Sequence, residues 1–366
     1  MPVPPPPPAS AMRGSLQGSE SCATLPGMAT ELTIAVVGPA GLVGREILEL
    51  LGQRQFPAGS IRLLGTHRTA GAEVELAGRK EKIALLTPQA FDGVELAFFA
   101  AGPGVAGEHA PRAAAAGAAV IDVSSRFRLD PEIPLVVPEV NVGKLGEWRE
   151  RGIVASPSGT ATALGVVLGA LAEAGLRRVV VSSYQGVASA GRRAVGALSQ
   201  ETIDLLNARG VRRRPRFARR IAFNCVPQVG ALEPGGSTTH ELLVVEELRK
   251  LLDLPGLGMS VTAVRVPIFF GSAFSVNLET ESPLGAAGAT AILQRAPGIL
   301  LHDEPGGSYP TPAEVAGSDA THVGRVRDDP SAEPPGLMLW IALDNVRKGT
   351  ALNAVQIAEI LARDHL

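Results

Sequence analysis

The run Leu32-Thr-Ile-Ala-Val-Val37, followed at once by Gly38-Pro-Ala-Gly41-Leu-Val-Gly44, restricts the fold of this chain more than any other stretch. A short β-branched run without polar alternation reads as a strand buried on both faces, as in a parallel sheet. Apolar residues at Ile47, Leu48, Leu50 and Leu51 then take up helical spacing. Glycines between such a strand and helix let the backbone approach a pyrophosphate at the helix N-terminus, where free N–H groups and the helix dipole favour an anion. In this context the spacing is a dinucleotide-binding signal, with Gly38, Ala40, Gly41, Leu42, Val43 and Gly44 as its residues. Two features weaken it. Pro39 removes an N–H donor, and Ala40 supplies no hydroxyl.

The next strand, Ile61–Leu64, ends in Gly65-Thr-His-Arg-Thr-Ala-Gly71. An NAD site places a carboxylate near here for the ribose 2′-OH, whereas an Arg accommodates a 2′-phosphate. This loop offers Thr66, Arg68 and Thr69 and no acid, which argues for NADP. Further strands are predicted at 94–101 and 118–122, with a helix running from Gly102-Pro-Gly104 to Ala116 between them. That alternation predicts an α/β, doubly wound parallel sheet. Val123-Ser-Ser-Arg-Phe-Arg128 then leaves the sheet beyond its strand C-termini, where such sheets bind ligands.

The stretch Val154-Ala-Ser-Pro-Ser-Gly-Thr-Ala-Thr162 reads as a strand, a tight turn and a helix start ahead of the apolar run Ala163–Leu171. Its backbone N–H groups suit an anion, a developing oxyanion or a low-pKa nucleophile. The turn holds no Cys, and no His, Lys or carboxylate within it could activate Ser158 or Thr160. Beyond it come a strand at 178–184, a small-residue turn at 185–191, helices at 194–206 and 239–252, and strands at 259–266 and 274–280. Grouped in this way they predict an α+β unit with a largely antiparallel sheet. An amphipathic helix is expected over 349–366.

Composition limits the functional classes. At 366 residues and 45% hydrophobic, the chain can bury two cores. Four segments are expected: a disordered proline-rich tail (1–30), a nucleotide-binding unit (31–155), an α+β substrate and dimerisation unit (156–345) and a terminal helix (346–366). Met28, just ahead of the first strand, is a second candidate start. A net charge of -2 provides no global field for nucleic acid or membrane. The apolar run Ala161–Ala172 is broken by Thr162, Gly165 and Gly169 and stops short of the roughly 20 residues that span a bilayer. Six Arg between Arg212 and Arg220 are interleaved only with Phe217 as an aromatic, which reads as a solvated loop. Cys22 and Cys225 form no disulfide framework and have no metal-ligand spacing, so a reducing cytoplasm and no bound metal are expected.

From about residue 32 to its end the chain resembles the aspartate-semialdehyde dehydrogenase family. The resemblance is carried by Gly38-x-x-Gly-Leu-Val-Gly44, Arg68-Thr-Ala-Gly71, Val120-Ile-Asp-Val-Ser-Ser-Arg-Phe-Arg-Leu-Asp130 and Pro134-Leu-Val-Val-Pro-Glu-Val-Asn141. It continues through Ser183-Tyr-Gln-Gly-Val187, Ile221-Ala-Phe-Asn224, Pro227-Gln228, Tyr309-Pro-Thr-Pro312 and the long run Asp344-Asn-Val-Arg-Lys-Gly-Thr-Ala-Leu-Asn-Ala-Val-Gln-Ile-Ala-Glu359.

The resemblance implies an NADP-binding Rossmann domain, a C-terminal domain that forms a homodimer, and a last helix that packs back on the first domain. It also implies a Cys thiolate attacking the aldehyde, a His acid/base, hydride transfer to NADP, and phosphate cleaving the thioester. Here the nucleophile position is Gly159, in Pro157-Ser158-Gly159-Thr160, and the His position is Ser272. The turn's Asn becomes Ser158, and a pocket Lys becomes Leu243. Cys225 lies in another segment and is no substitute. N-acetylglutamyl-phosphate reductase shares the architecture and needs the same Cys.

The implied small-anion site remains: Arg128 for phosphate, Gln185 to orient substrate, Arg265 for its carboxylate, and Glu241. Ala188, Ser189 and Asn345 are implied on the cofactor side. The reading that follows is a nucleotide- and anion-binding dimer without dehydrogenase catalysis. The alternatives are an active NADP-dependent oxidoreductase of the semialdehyde dehydrogenase class, in amino-acid biosynthesis, using no Cys, and a structural or regulatory dimer that binds neither ligand.

Overall fold

A computed structural model describes residues 31–210, 216–282, 284–303, 308–333 and 336–366. The tail with Cys22, and residues 211–215 of the arginine loop, lie outside the described residues. The first half contains β1 (Leu32–Val37), α1 (Leu42–Gln53), β2 (Ala58–Gly65), β3 (Glu73–Leu76), β4 (Arg79–Lys82), β5 (Ala84–Leu85), β6 (Leu96–Phe99), α2 (Pro103–Ala115), β7 (Ala119–Asp122), α3 (Pro138–Asn141) and β8 (Ile153–Ala155). Six of these strands form a sheet in the order β5-β2-β1-β6-β7-β8, and every pairing in it is parallel.

Alternate residues of each strand face opposite ways. Ile34, Val36, Leu96, Phe98 and Ile121 pack with Ile47, Leu50 and Leu51 of α1. Ala35, Val37, Ala97, Phe99 and Val120 pack with Ala106, Ala110 and Ala113 of α2. Both faces are therefore covered, which is why β1 lacks polar alternation. The chain leaves β1 for β2 on one side and returns to β6 on the other. The crevice past the C-terminus of β1 is thus a topological switch point, where ligands of such sheets bind.

The second half contains α4 (Gly159–Ala170), β9 (Leu176–Gln185), α5 (Arg192–Leu206), α6 (Thr239–Leu251), β10 (Gly258–Arg265), β11 (Ser272–Thr280), α7 (Ala286–Leu293), β12 (Ile299–His302), β13 (Thr321–Asp329), β14 (Gly336–Leu343) and α8 (Asn353–Asp364). Its sheet runs β10-β9-β11-β14-β13-β12, with the three inner pairings antiparallel and the two edge pairings parallel. Val179, Val181, Phe274, Val276, Leu339 and Ile341 form one core with α4, α6 and α7, and the α2 face of the first sheet joins that core. A helix lying between two sheets must be apolar all round, and every residue from Thr160 to Leu168 of α4 is buried.

Three expectations are adjusted. The terminal α-helix begins at Asn353 and not at Gly349, because Arg347–Leu352 wind as a π-helical turn. In that turn the Gly349 N–H donates to the Asp344 carbonyl, and the Ala351 N–H to that of Val346. The β3–β4 hairpin gives only a short sequence signal: β3 alternates over Glu73-Val-Glu-Leu76 alone, β4 reads Arg-Lys-Glu-Lys, fully exposed, and the turn uses Ala77 and Gly78 at φ 49° and 77° in place of the usual Asn-Gly. Strands β12 to β14 extend the second sheet beyond the three strands that the sequence brackets.

The π turn and α8 tie the halves together. Val355, Ile357, Ala358 and Leu361 of α8 join the α1 face of the first sheet. Arg347 reaches Glu46 of α1 at 2.9 Å and Gln53 at 2.9 Å, and it also pairs with Asp319. Lys348, fully buried, pairs with Glu139 of α3, whose other neighbour is the Gln356 amide at 3.1 Å. Among the described residues no helix is long and apolar enough to cross a membrane.

Removing one partner of a buried ion pair strands the other charge, at a cost of about 3–5 kcal/mol, whereas an apolar replacement of both is nearly neutral. Lys348→Ala is therefore expected to lose about that much stability in a urea titration. Lys348→Met combined with Glu139→Leu should recover most of the loss. An unchanged midpoint in the single variant would remove Lys348 as a tie between the halves.

Candidate functional site

Strand register assembles the site. Gln185 ends β9; its neighbour in the parallel β10 ladder is Arg265, and its neighbour in the antiparallel β11 ladder is Ser272. Gln185 and two residues at least 80 positions after it thus lie in one row across the sheet. The N-termini of α4 and α6 meet this row. Ser158 caps α4, its Oγ accepting from the Ala161 N–H at 3.2 Å. Thr238 and Glu241 form a capping box on α6. Each start leaves backbone N–H groups without intrahelical partners, so two positive helix ends converge on one point.

Side chains from both helices close on Gln185. Its Nε2 lies 3.3 Å from Thr160 Oγ1, 3.1 Å from Ser183 Oγ and 2.9 Å from His240 Nε2. Thr160 Oγ1 is in turn 3.4 Å from His240 Nε2. His240 corrects the sequence reading, which finds no base beside the Thr160 hydroxyl. The base comes from the second residue of a helix 80 positions away. Sequence offers one sign of it, a His in the first turn of a helix whose third residue, Glu241, was already singled out. Burial is the main cause of a pKa lowered to about 4, so the ring is neutral at pH 7.

The charged residues divide by partner. Arg128 is buried, giving one N–H to the Ser156 carbonyl at 3.0 Å, one to the Val123 carbonyl at 2.8 Å and one to Glu247 at 3.1 Å. The other oxygen of Glu247 accepts from the Ser158 N–H at 2.7 Å, so this pair braces the turn ahead of α4. Both oxygens of Glu241 are taken by backbone N–H groups, of Thr238 at 2.6 Å and Ala263 at 2.7 Å. Glu241 thereby ties the start of α6 to β10, with the remaining lone pair of each oxygen uncommitted by these two bonds.

Arg265 differs. It is buried, donates to the Gly186 carbonyl at 2.9 Å and to Ser189 Oγ, and forms no ion pair among the described residues. Burial lowers its pKa to about 10, with a further push from Arg216. Ala188 and Ser189 sit on the loop that Arg265 holds, and the Ala188 N–H donates to the Phe269 carbonyl at 2.9 Å. Asn345 accepts from the Gly271 N–H at 2.8 Å, while its buried Nδ2 has no partner among the described residues.

The glycine turn after β1 has the backbone that a pyrophosphate needs. Gly38 adopts φ 88°, and a Cβ there would lie 2.6 Å from the Ala100 carbonyl oxygen. A Cβ on Gly44 would lie 2.3 Å from the Gly38 carbonyl oxygen, so only glycine brings α1 this close to β1. The first turn of α1 holds no acidic residue. Gly41 caps this helix without a side chain, and Leu42, Val43 and Gly44 follow it. The Gly38 N–H donates to the Leu64 carbonyl at 2.9 Å, which sets the Thr66–Thr69 loop beside the turn. Thr66 and Thr69 are half-buried and Arg68 is exposed.

Two family profiles match most of the chain: "Semialdehyde dehydrogenase, NAD binding domain" over residues 33–148 and "Semialdehyde dehydrogenase, dimerisation domain" over residues 168–348. Aspartate-semialdehyde dehydrogenase of Aquifex aeolicus is 37% identical over 336 residues, covering 91% of this chain and 98% of that protein. The chain belongs to the aspartate-semialdehyde dehydrogenase family. The crystal structure of aspartate semialdehyde dehydrogenase II from Vibrio cholerae superposes with a TM-score of 0.88 at 38% identity, covering 92% of this chain and all of that one. The enzyme from Candida albicans, solved with NADP, shares the fold with a TM-score of 0.70 at 18% identity, covering 91% of this chain and 99% of that one.

The positions where the family resemblance implies catalytic groups are all present in space, with other residues in them. Gly159 opens α4 outside the positive-φ region, so its backbone would accept a side chain. The surroundings are tight. A Cβ there would lie 3.3 Å from the Asn345 carbonyl oxygen and 3.4 Å from that of Gly349. Ser272 is buried in the row beside Gln185, and Leu243 is half-buried on α6. Cys225 is exposed, just before the residue that bridges to Arg265. Among the described residues no cluster of His, Cys, Asp and Glu could hold a metal ion.

Gly159→Cys is expected to fold, to lose roughly 1 kcal/mol or more from crowding, and to gain a thiol that iodoacetamide alkylates, read by peptide mass spectrometry. Turnover should stay slight, because an acid/base commonly contributes about 10²–10⁴-fold. Adding Ser272→His should raise it beyond the sum of the singles; additive effects would count against this placement of the two groups.

Proposed function

We propose that the protein is a homodimeric, cytoplasmic relative of the aspartate-semialdehyde dehydrogenases that binds NADP and a small anion without carrying out the thiol-dependent dehydrogenase reaction. The observation that carries this reading is Gly159. It occupies the helix start where the family's nucleophile is implied, with the Asn345 and Gly349 carbonyl oxygens 3.3 and 3.4 Å from where a Cβ would sit. A hydroxyl cannot simply take over. Thr160 does have a base in reach, but an imidazole held near pKa 4 takes up a proton weakly at neutral pH. Losing members of a catalytic unit typically removes on the order of a million-fold in rate.

The residues present fit a dinucleotide. Gly38, Gly41 and Gly44 let the start of α1 pack close against the end of β1, the arrangement a pyrophosphate turn uses, and Arg68 with Thr66 and Thr69 would face the 2′-phosphate with no carboxylate to repel it. When bound, NADP supplies a hydride acceptor or donor. Asn345, with a buried amide N–H unpaired among the described residues, and the loop of Ala188 and Ser189 would complete its site. Arg265, buried without an acidic partner among the described residues, supports the anion site, and the amide of Gln185 supplies a donor beside it. Arg128 would turn to phosphate only with the N–H groups its structural bonds leave over. For the dimer, the outer face of the second sheet, with half-buried Val180, Tyr184, Met338 and Trp340, is the surface a partner copy would cover. A second reading is favoured by the Thr160–His240 contact: an NADP-dependent oxidoreductase acting on a free carbonyl, with Thr160 as proton donor.

Calorimetric titration tests the nucleotide half of the proposal. NADP should bind more tightly than NAD, and Arg68→Ala should erase the difference, a charged hydrogen bond being worth about 1.5–3 kcal/mol. Equal affinities in the unchanged protein would refute the preference, and no binding of either nucleotide would leave the structural-dimer reading. NADPH oxidation by small aldehydes, lost in Thr160→Val, would favour the second reading.

A further inference from the structure

The contacts around Gln185 leave more acceptors than hydrogens. Its amide nitrogen has two hydrogens but faces three acceptors, Ser183 Oγ, Thr160 Oγ1 and His240 Nε2. With the amide nitrogen turned to the ring, the N···N approach of 2.9 Å is a hydrogen bond when the ring nitrogen is unprotonated and accepting. The charges facing His240 come from three elements. Glu241 and Glu247 lie on its own helix, Arg265 on β10, and Arg128 on the loop after β7. Glu247 is paired with Arg128, and Glu241 is bound by two backbone N–H groups. Arg265 is left as the uncompensated charge. With the imidazole neutral the pocket therefore carries one net positive charge, beside two helix N-termini.

We propose that His240 is a ligand-binding residue of this pocket, which takes up one proton and turns from acceptor to donor when a small doubly charged anion enters beside Arg265. The proposal rests on the anion-site reading given above. A dianion outweighs the single charge of Arg265, and the excess negative charge inside a buried site favours the protonated imidazole. A proton on Nε2 ends its contact with the Gln185 amide and supplies a donor to the anion, while the freed amide hydrogen supplies another. A monoanion is balanced by Arg265 alone and calls for no proton. Because the empty pocket holds the ring's pKa down to about 4, the ring is almost wholly unprotonated at neutral pH, so a proton bound with the anion there is a net uptake from solvent.

Sulfate is the probe, since it does not itself titrate above about pH 5. Its binding to the full-length protein would be measured by calorimetry between about pH 5 and pH 8, in paired buffers of different ionisation enthalpy. Affinity should rise as the pH falls, approaching tenfold per unit, with uptake approaching one proton per site. His240→Asn and His240→Gln should still bind sulfate but with a nearly flat pH profile, and nitrate should take up little. Sulfate binding that does not vary with pH, or an unchanged slope in both variants, would overturn the role of His240 and leave the anion site standing. No sulfate binding at any pH would overturn the anion site, and the inference with it.

Discussion

Two backbones meet at the centre of the molecule, and most of the structure is arranged to hold them there. The start of α4 and the π turn approach so closely that a Cβ on Gly349 would lie 3.2 Å from the Gly159 Cα. The π turn is anchored to α1 through Arg347 and to α3 through Lys348. Asn353 donates to Ser156 Oγ at 2.9 Å and to the Val136 carbonyl at 3.0 Å. On the other side, Glu247 holds the Ser158 N–H. The same contact thus joins the nucleotide turn, the helix start and the second sheet. It also explains how the chain dispenses with a side chain at Gly159: the neighbouring carbonyl groups stand at the edge of the vacated space.

The electrostatics of the pocket outlast the missing thiol. Two helix N-termini, Arg265 and the Gln185 amide all favour an anion, while Arg128 and Glu247 neutralise one another as a brace. Catalysis in such a site depends on a group that can carry charge reversibly. Here the remaining titratable group is His240, whose burial holds it neutral when nothing is bound. Under the proposed function binding and chemistry are separable, and the groups named here are those that would serve the first.

Much of this was legible in the sequence because the physics is local. The Leu32–Val37 run and its glycines specify a buried strand and a close helix approach without knowledge of anything distant, and Thr238 with Glu241 marks the start of α6. The rest depends on register or tertiary contact. Arg265, Gln185 and Ser272 form a row only once three strands are paired. His240 reaches Thr160 across 80 positions, which no spacing rule reports. Glu241 was legible as an important residue, but its two backbone acceptances, which tie α6 to β10, were not. In the β3–β4 hairpin only the four residues Glu73–Leu76 of β3 alternate polar and apolar, and β4, solvated throughout, adds nothing to extend that signal.

The central claim is that the frame persists without the reaction. Its most direct test is to purify the protein from a host that lacks its own dehydrogenase and to measure NADPH formation with aspartate semialdehyde, phosphate and NADP, having first verified that NADP binds. The account predicts no phosphate-dependent NADPH formation above background from a folded, nucleotide-binding protein. Robust phosphate-dependent turnover that follows the protein through purification would contradict it, and would assign to the Gly159 turn a chemistry that needs no thiol.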